Sequence, residues 1–266
     1  MFDLPAGLTA LVLYVALACW QWRNWRNPAV PRSTLWLGLA VFALCLHGLS
    51  VYGLIDTSAG FYFSFFHMAS LIFWVICITL VSSTRTLPVA ALLPPLFIIT
   101  AASIACSLFV DAHFTPVALT YPIALHIVLS VLAYSMLTIA CVQAGALALQ
   151  DHLLRAKHWP SVMAVLPPLQ TMESLLFKML WAGTALLALS ILTGFWFYDD
   201  LHAQHLMHKV FFSLIALVVY SILLWGRYTC GWRGKTAIRW TFAGFVALML
   251  AYFGSKLVLE MVLAHA

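Results

Sequence analysis

The stretch 206–239, LMHKVFFSLIALVVYSILLWGRYTCGWRGKTAIR, decides how this chain is read. After His208 and Lys209 it is apolar from Val210 to Gly226, then basic at Arg227, Arg233, Lys235 and Arg239. Roughly 20 apolar residues rising 1.5 Å each cross a bilayer's hydrocarbon. Lys and Arg collect in the loops on its cytoplasmic side. The stretch is therefore a membrane crossing with its basic end inside. Working outward, the pattern repeats, with eight apolar runs at 4–22, 35–55, 61–82, 88–110, 118–148, 175–198, 206–226 and 240–264. Every second gap is basic: Arg23, Arg26 and Arg32; Arg85; Arg155, Lys157 and Lys178; then the four cations above. Of the 13 Lys and Arg, only Lys209 and Lys256 fall at the opposite ends of spans. Six of the eight acids, Asp3, Asp56, Asp111, Asp199, Asp200 and Glu260, fall on that opposite side. The expected architecture is all-α: a polytopic membrane helical bundle of eight transmembrane helices with both termini outside.

A mean hydropathy of +1.01 with 8% charged residues excludes an ordinary soluble domain. Eight spans and their short loops use the whole sequence, so a single integral-membrane domain over 1–266 is expected. The first run lacks a basic leading region and a small-residue exit, and reads as a retained helix. The net charge of +5 follows from topology and anionic lipid, not from nucleic-acid binding. The six Cys show no paired or metal-ligand spacing. No hydrolase, zinc-protease, Walker or dinucleotide motif is present, and no enzymatic activity is expected. Pro94-Pro95 should kink the fourth span or free carbonyls for neighbours, and Pro167-Pro168 should break the chain before the sixth.

Eight of the ten His lie in the outward half. His47, His67 and His126 lie within spans, each some six to eight residues from the outer end. At 1.5 Å per residue that is roughly 9–12 Å deep. Polar side chains inside a membrane are costly and usually face the bundle interior. Neutral imidazole is a common ligand for metals and for haem iron. An intramembrane His also serves simply as a hydrogen-bond link between helices. On the fifth span His126, Ser130, Ala133 and Tyr134 share a helical face, with small residues beside the ring. On the third, His67 and Trp74 are nearly aligned, as an aromatic wall or as ordinary packing. His208 and Lys209 open the seventh span; Lys209 either pairs with a carboxylate or extends to the headgroups. Lys256 and Glu260, at i, i+4, neutralise one another or mark an ion route.

The runs Leu223-Leu224-Trp225-Gly226-Arg227, Cys230-Gly231-Trp232-Arg233-Gly234-Lys235 and Ala251-Tyr252-Phe253-Gly254-Ser255-Lys256 resemble the C-terminal end of the cytochrome c assembly family, the CcsA/CcmC-type haem-handling membrane proteins. So do Leu125 to Tyr134, Leu166-Pro167-Pro168-Leu169, Leu192-Thr193-Gly194-Phe195-Trp196 and His208-Lys209. The likeness covers nearly the whole chain and is greatest to the small YpjD-like branch. It implies an outward haem site in which His126 matches an external ligand histidine. The chain also departs from the family. The Trp-rich outer segment ending in W-D-P-K is missing, and Leu206-Met207-His208-Lys209 stands where it should end. Trp225 replaces a histidine of the larger members, and the C-terminal external histidine is at best displaced to His265.

The expected function is haem binding or handling at the outer face of a bacterial cytoplasmic (inner) membrane, linked to cytochrome c assembly. His126 paired with His47 or His208 would ligate the iron, Lys209 would meet a propionate, and His67 would line the site. Lipid and a cytochrome-maturation or other membrane protein are the expected partners. The alternatives are a cofactor-free accessory or regulatory subunit, and a cation or proton transporter using the outer histidines.

Overall fold

The computed structural model describes residues 3–24, 27, 30–57, 60–110, 119–156, 167–197 and 207–254. These form helices α1 (Asp3–Arg23), α2 (Thr34–Ile55), α3 (Phe65–Ser83), α4 (Leu93–Phe109), α5 (Tyr121–Ala156), α6 (Leu169–Phe197), α7 (Met207–Thr229) and α8 (Gly234–Met249). A π-helical turn, Leu250–Gly254, continues α8. The fold is the expected all-α polytopic membrane protein. Among the described residues seven helices, α1 to α7, are long and apolar enough to cross a bilayer. The remaining part of the eighth expected span, 255–264, lies outside the described residues, as do Lys256 and Glu260.

The chain divides into two compact units. In the first, α1 packs on α2 and α4, and α3 on α2 and α4, closing a ring of four helices. In the second, α5 packs on α6 and α8, and α7 on α6 and α8, closing another. Small residues let the helices approach, since lipid gives no hydrophobic drive between them. A Cβ on Gly183 would come 2.7 Å from the Leu137 side chain, and one on Gly244 would come 2.7 Å from the Tyr220 ring. Lipid-facing side chains such as Val12, Leu192 and Val218 stay exposed.

Three local readings need correction. Pro94 and Pro95 do not kink a span. They lie in the first turn of α4, after the 3-10 turn Ala90–Leu92. The missing N–H costs nothing there, and the fixed φ suits a helix start. A short antiparallel ribbon pairs Asp56–Thr57 with Gly60–Phe61 and delays α3 to Phe65. The Ser64 hydroxyl caps it by accepting the His67 N–H at 3.3 Å, so His67 lies in the first helical turn rather than six residues into the helix. Finally, α6 begins at Leu169, ahead of the expected 175. Polar contacts from α5 support this start: Gln150 Nε2 donates to the Pro167 carbonyl and Gln143 Nε2 to the Met172 carbonyl, each at 3.0 Å.

Candidate functional site

In the second unit the N-terminal end of α5 meets the C-terminal end of α6. Helical spacing puts His126, Ser130 and Tyr134 on one face of α5, as the sequence suggests. Opposite lie Ser190, Thr193 and Gly194 of α6. His126 Nδ1 is 2.9 Å from the Ser190 carbonyl oxygen and 3.3 Å from Thr193 Oγ1. A carbonyl only accepts, so Nδ1 carries the proton and Nε2 the lone pair. Ser130 Oγ is 3.4 Å from Nε2, a long contact, because its hydroxyl already donates to the His126 carbonyl at 2.7 Å. Ser130 Oγ and Ser190 Oγ are 2.7 Å apart and tie the two helices together. A Cβ on Gly194 would sit 3.1 Å from His126 Cε1, so the ring lies against bare α6 backbone. The half-buried imidazole thus has a fixed tautomer and a fixed plane.

Along α5 from this ring, Tyr134 donates its hydroxyl to the Leu248 carbonyl at 2.9 Å, where α8 widens into the π turn. The Tyr134 and Tyr252 rings meet edge to face at 6.0 Å, and Lys209 Nζ stands 5.8 Å over the Tyr252 ring. His126, Thr193, Lys209 and Tyr252 therefore all belong to the same end of this unit. His208 is in the first turn of α7.

His47 belongs to the first unit and is fully buried there. Its Nδ1 is 3.3 Å from the Tyr14 hydroxyl and its Nε2 is 2.9 Å from Ser70 Oγ, so the ring joins α1, α2 and α3. Tyr14 packs edge-on to that ring and also against Phe97 of α4. Trp74 is packing rather than a wall beside His67. Its Nε1 donates to the Leu44 carbonyl at 2.8 Å, and its ring covers Gly48, where a Cβ would come within 2.7 Å. Among the described residues no three of His, Cys, Asp and Glu gather as a metal cage. His113, His202, His205 and His265 lie outside the described residues.

The opposite end of the second unit holds a cluster that the sequence reading passed over. The buried Glu173 of α6 accepts from Arg227 Nη1 at 2.7 Å and from Arg233 Nε at 2.9 Å. Arg227 also donates to the Trp232 carbonyl at 3.1 Å and lies 4.5 Å over the Phe177 ring. The loop between α7 and α8 turns through Gly231 and Gly234, at φ of +65° and +51°, a backbone region that favours glycine. The available signal was charge. Glu173 and Asp151 are the two acids on the basic side, and both are ion-paired, Asp151 with Arg155.

A membrane chain of this helix order, with these C-terminal motifs, matches the family model described as Cytochrome C assembly protein over residues 33–263. The chain belongs to that family. It is 32% identical over 228 residues to the inner membrane protein YpjD of Escherichia coli strain K12, covering 84% of this chain and 86% of that one. It is 29% identical over 133 residues to the protein HemX of Bacillus subtilis strain 168, covering 49% and 48% of the two chains. No solved structure matches.

Proposed function

We propose that this protein binds haem at the end of its second helical unit in a bacterial inner membrane, and carries or presents it during cytochrome c assembly rather than catalysing a reaction. The observation that supports this reading most is the hydrogen bond from His126 Nδ1 to the Ser190 carbonyl. Metal-bound histidines are commonly oriented this way, through the nitrogen that does not touch the metal. An axial position asks for one imidazole on a face of the ring, which the donors here can supply, whereas a bare ion would need a cage of several. Haem would contribute a redox-active iron. The protein's part is to fix the imidazole plane through Ser190, Thr193 and Gly194, and to offer the Lys209 ammonium to a propionate. His208, which opens α7 of the same unit, is the proposed candidate for the second axial position. Family membership and the relation to an inner membrane protein support the setting. We further propose that the basic ends of the units are cytoplasmic and the His126 end periplasmic, with a cytochrome-maturation protein as partner.

The test is haem reconstitution of the purified protein in detergent, followed by absorption spectroscopy. His126→Ala should lose most of the bound haem and the bis-imidazole spectrum, with membrane insertion intact. Lys209→Ala should weaken retention without changing the spectrum, because a propionate contact is off the iron. His113→Ala should change neither. Unchanged haem content in His126→Ala would refute the assignment. The absence of the family's Trp-rich outer segment favours a second reading, a cofactor-free accessory subunit, and a wild-type protein that takes up no haem would select it.

A further inference from the structure

At the basic end of the second unit, α5 and α8 leave a cavity of about 220 Å³ between them, lined by Ala148, Asp151, His152 and Arg155 from α5 and by Lys235, Ile238 and Arg239 from α8. The spacing i, i+3, i+4, i+7 on α5 and i, i+3, i+4 on α8 turns one face of each helix into the same space. One turn deeper the helices close up, with Gly145 beneath the Phe242 ring, where a Cβ would sit 3.8 Å from Cζ. The cavity therefore has a floor.

Its charge is uneven. Arg155 Nε lies 3.1 Å from both Asp151 oxygens, so the one lining carboxylate is matched within its own helix. Lys235 and Arg239 have no ion-pair partner among the described residues. Two cations and the exposed His152 thus face a cavity with room for a phosphodiester.

The surface beneath it is apolar and open. Lys235, Arg239, Phe242 and Val246 follow one another at i, i+4, i+7 and i+11 on a single stripe of α8. Phe242 is 39% exposed and Val246 57%. At 1.5 Å per residue, Val246 lies roughly 10 Å below Arg239 along the helix. A molecule that satisfies the whole stripe has an anionic head and a hydrocarbon tail. A soluble phosphate would leave Phe242 and Val246 uncovered, and a neutral lipid would leave the two cations unmatched.

We propose that the groove between α5 and α8 is a binding site for one anionic phospholipid, its phosphate against Lys235 and Arg239 and its acyl chain along Phe242 and Val246. Basic pockets between membrane helices recognise acidic headgroups in this way. The site is independent of His126 and stands whether or not haem is bound.

The experiment is native mass spectrometry of the full chain in detergent, titrated with phosphatidylglycerol or phosphatidylethanolamine. The wild type should retain one phosphatidylglycerol roughly thirtyfold more strongly than phosphatidylethanolamine, the effect expected of two cations beside an anionic headgroup. Lys235→Gln with Arg239→Gln should bring the two lipids to parity. Arg85→Gln, an exposed cation of the first unit, should keep the preference. Parity in the wild type, or an equal loss in Arg85→Gln, would reduce the groove to general surface charge and overturn the site. Displacement of the lipid by millimolar inorganic phosphate would assign the groove to a soluble anion and overturn the lipid. A second measurement needs no variant: phosphatidylglycerol with a photoreactive acyl chain should label the wild-type segment around Phe242 and Val246. Labelling spread evenly over the helices would refute the proposal.

Discussion

Replacing Glu173 with glutamine keeps the side chain's shape and removes its charge, and the structure sets the size of the effect. The carboxylate is 11% exposed, and its partners differ: the Arg227 side chain is 31% exposed and Arg233 56%. A hydrogen bond to a charged group contributes roughly 1.5–3 kcal/mol when little water competes. An exposed pair contributes roughly 0.2–1 kcal/mol. Arg227 keeps the Trp232 carbonyl and the Phe177 ring after the change, which limits its loss. Glu173→Gln should therefore destabilise the second unit by about 2–3 kcal/mol, Arg227→Gln by about 2 and Arg233→Gln by less than 1. Membrane proteins often unfold irreversibly, so the assay is the inactivation midpoint in detergent at one scan rate, together with a denaturing-detergent titration. A double-mutant cycle should give coupling of about 1.5 kcal/mol for Glu173 with Arg227 and much less for Glu173 with Arg233. Equal coupling to both arginines, or a Glu173→Gln protein within about 0.5 kcal/mol of wild type, would show that burial does not govern this cluster.

Three further outcomes follow from the geometry. Gly194→Leu should push the His126 ring off the Ser190 carbonyl, since even a Cβ there stands 3.1 Å from Cε1; altered or lost axial ligation, read by the Soret band, checks it against a Gly194→Ala protein that needs a shift of only a few tenths of an ångström. His47→Ala should destabilise the first unit by about 2–4 kcal/mol, through a cavity and two deprived hydroxyls on Tyr14 and Ser70, with the haem spectrum preserved; haem loss at unchanged stability would instead make His47 an iron ligand. Reporter fusions after His158 and Arg233 should read cytoplasmic and fusions after Asp111 and Asp200 periplasmic, and a periplasmic signal at Arg233 would overturn the charge-based topology.

The spans were legible because two independent signals agree, hydropathy over some 20 residues and the alternation of cations between gaps. Their ends were not, because helix starts depend on groups that hydropathy ignores. Pro94-Pro95 reads as a kink inside an apolar run, but Ala90–Leu92 forms a separate 3-10 turn that turns the prolines into a start signal. The start of α6 is supported by glutamine side chains of α5, partners 17 and 29 residues away in sequence. Trp74 beside His67 was ambiguous for the same reason. What decides its role is Gly48 on a different helix. Glu173 could have been found: an acid on a basic face has local cations to meet, and the charge count that set the topology already isolated it.

His47 and His126 look alike in sequence, each a lone imidazole in an apolar helix, and their difference arises from what faces them. His47 meets two hydroxyls, Tyr14 and Ser70, which engage both ring nitrogens in a fully buried setting. That arrangement suits a link between helices. His126 meets a backbone carbonyl at Nδ1 and, at a longer 3.4 Å, the Ser130 hydroxyl at Nε2. In an α-helix the Ser190 oxygen is the ordinary acceptor for the N–H four residues on, that of Gly194. A carbonyl has a second lone pair, but a side chain at the following turn usually covers it. Glycine at 194 uncovers it, and the Thr193 hydroxyl shares it at 2.8 Å. The threonine and glycine within Leu192-Thr193-Gly194-Phe195-Trp196 thus gain a physical meaning, because together they let an imidazole from another helix rest on α6 with its proton placed. A carbonyl that holds Nδ1–H leaves the lone pair on Nε2, the atom an axial ligand uses. The asymmetry between the two histidines comes from what faces Nδ1: a backbone carbonyl at His126, which fixes the proton there, and the Tyr14 hydroxyl at His47.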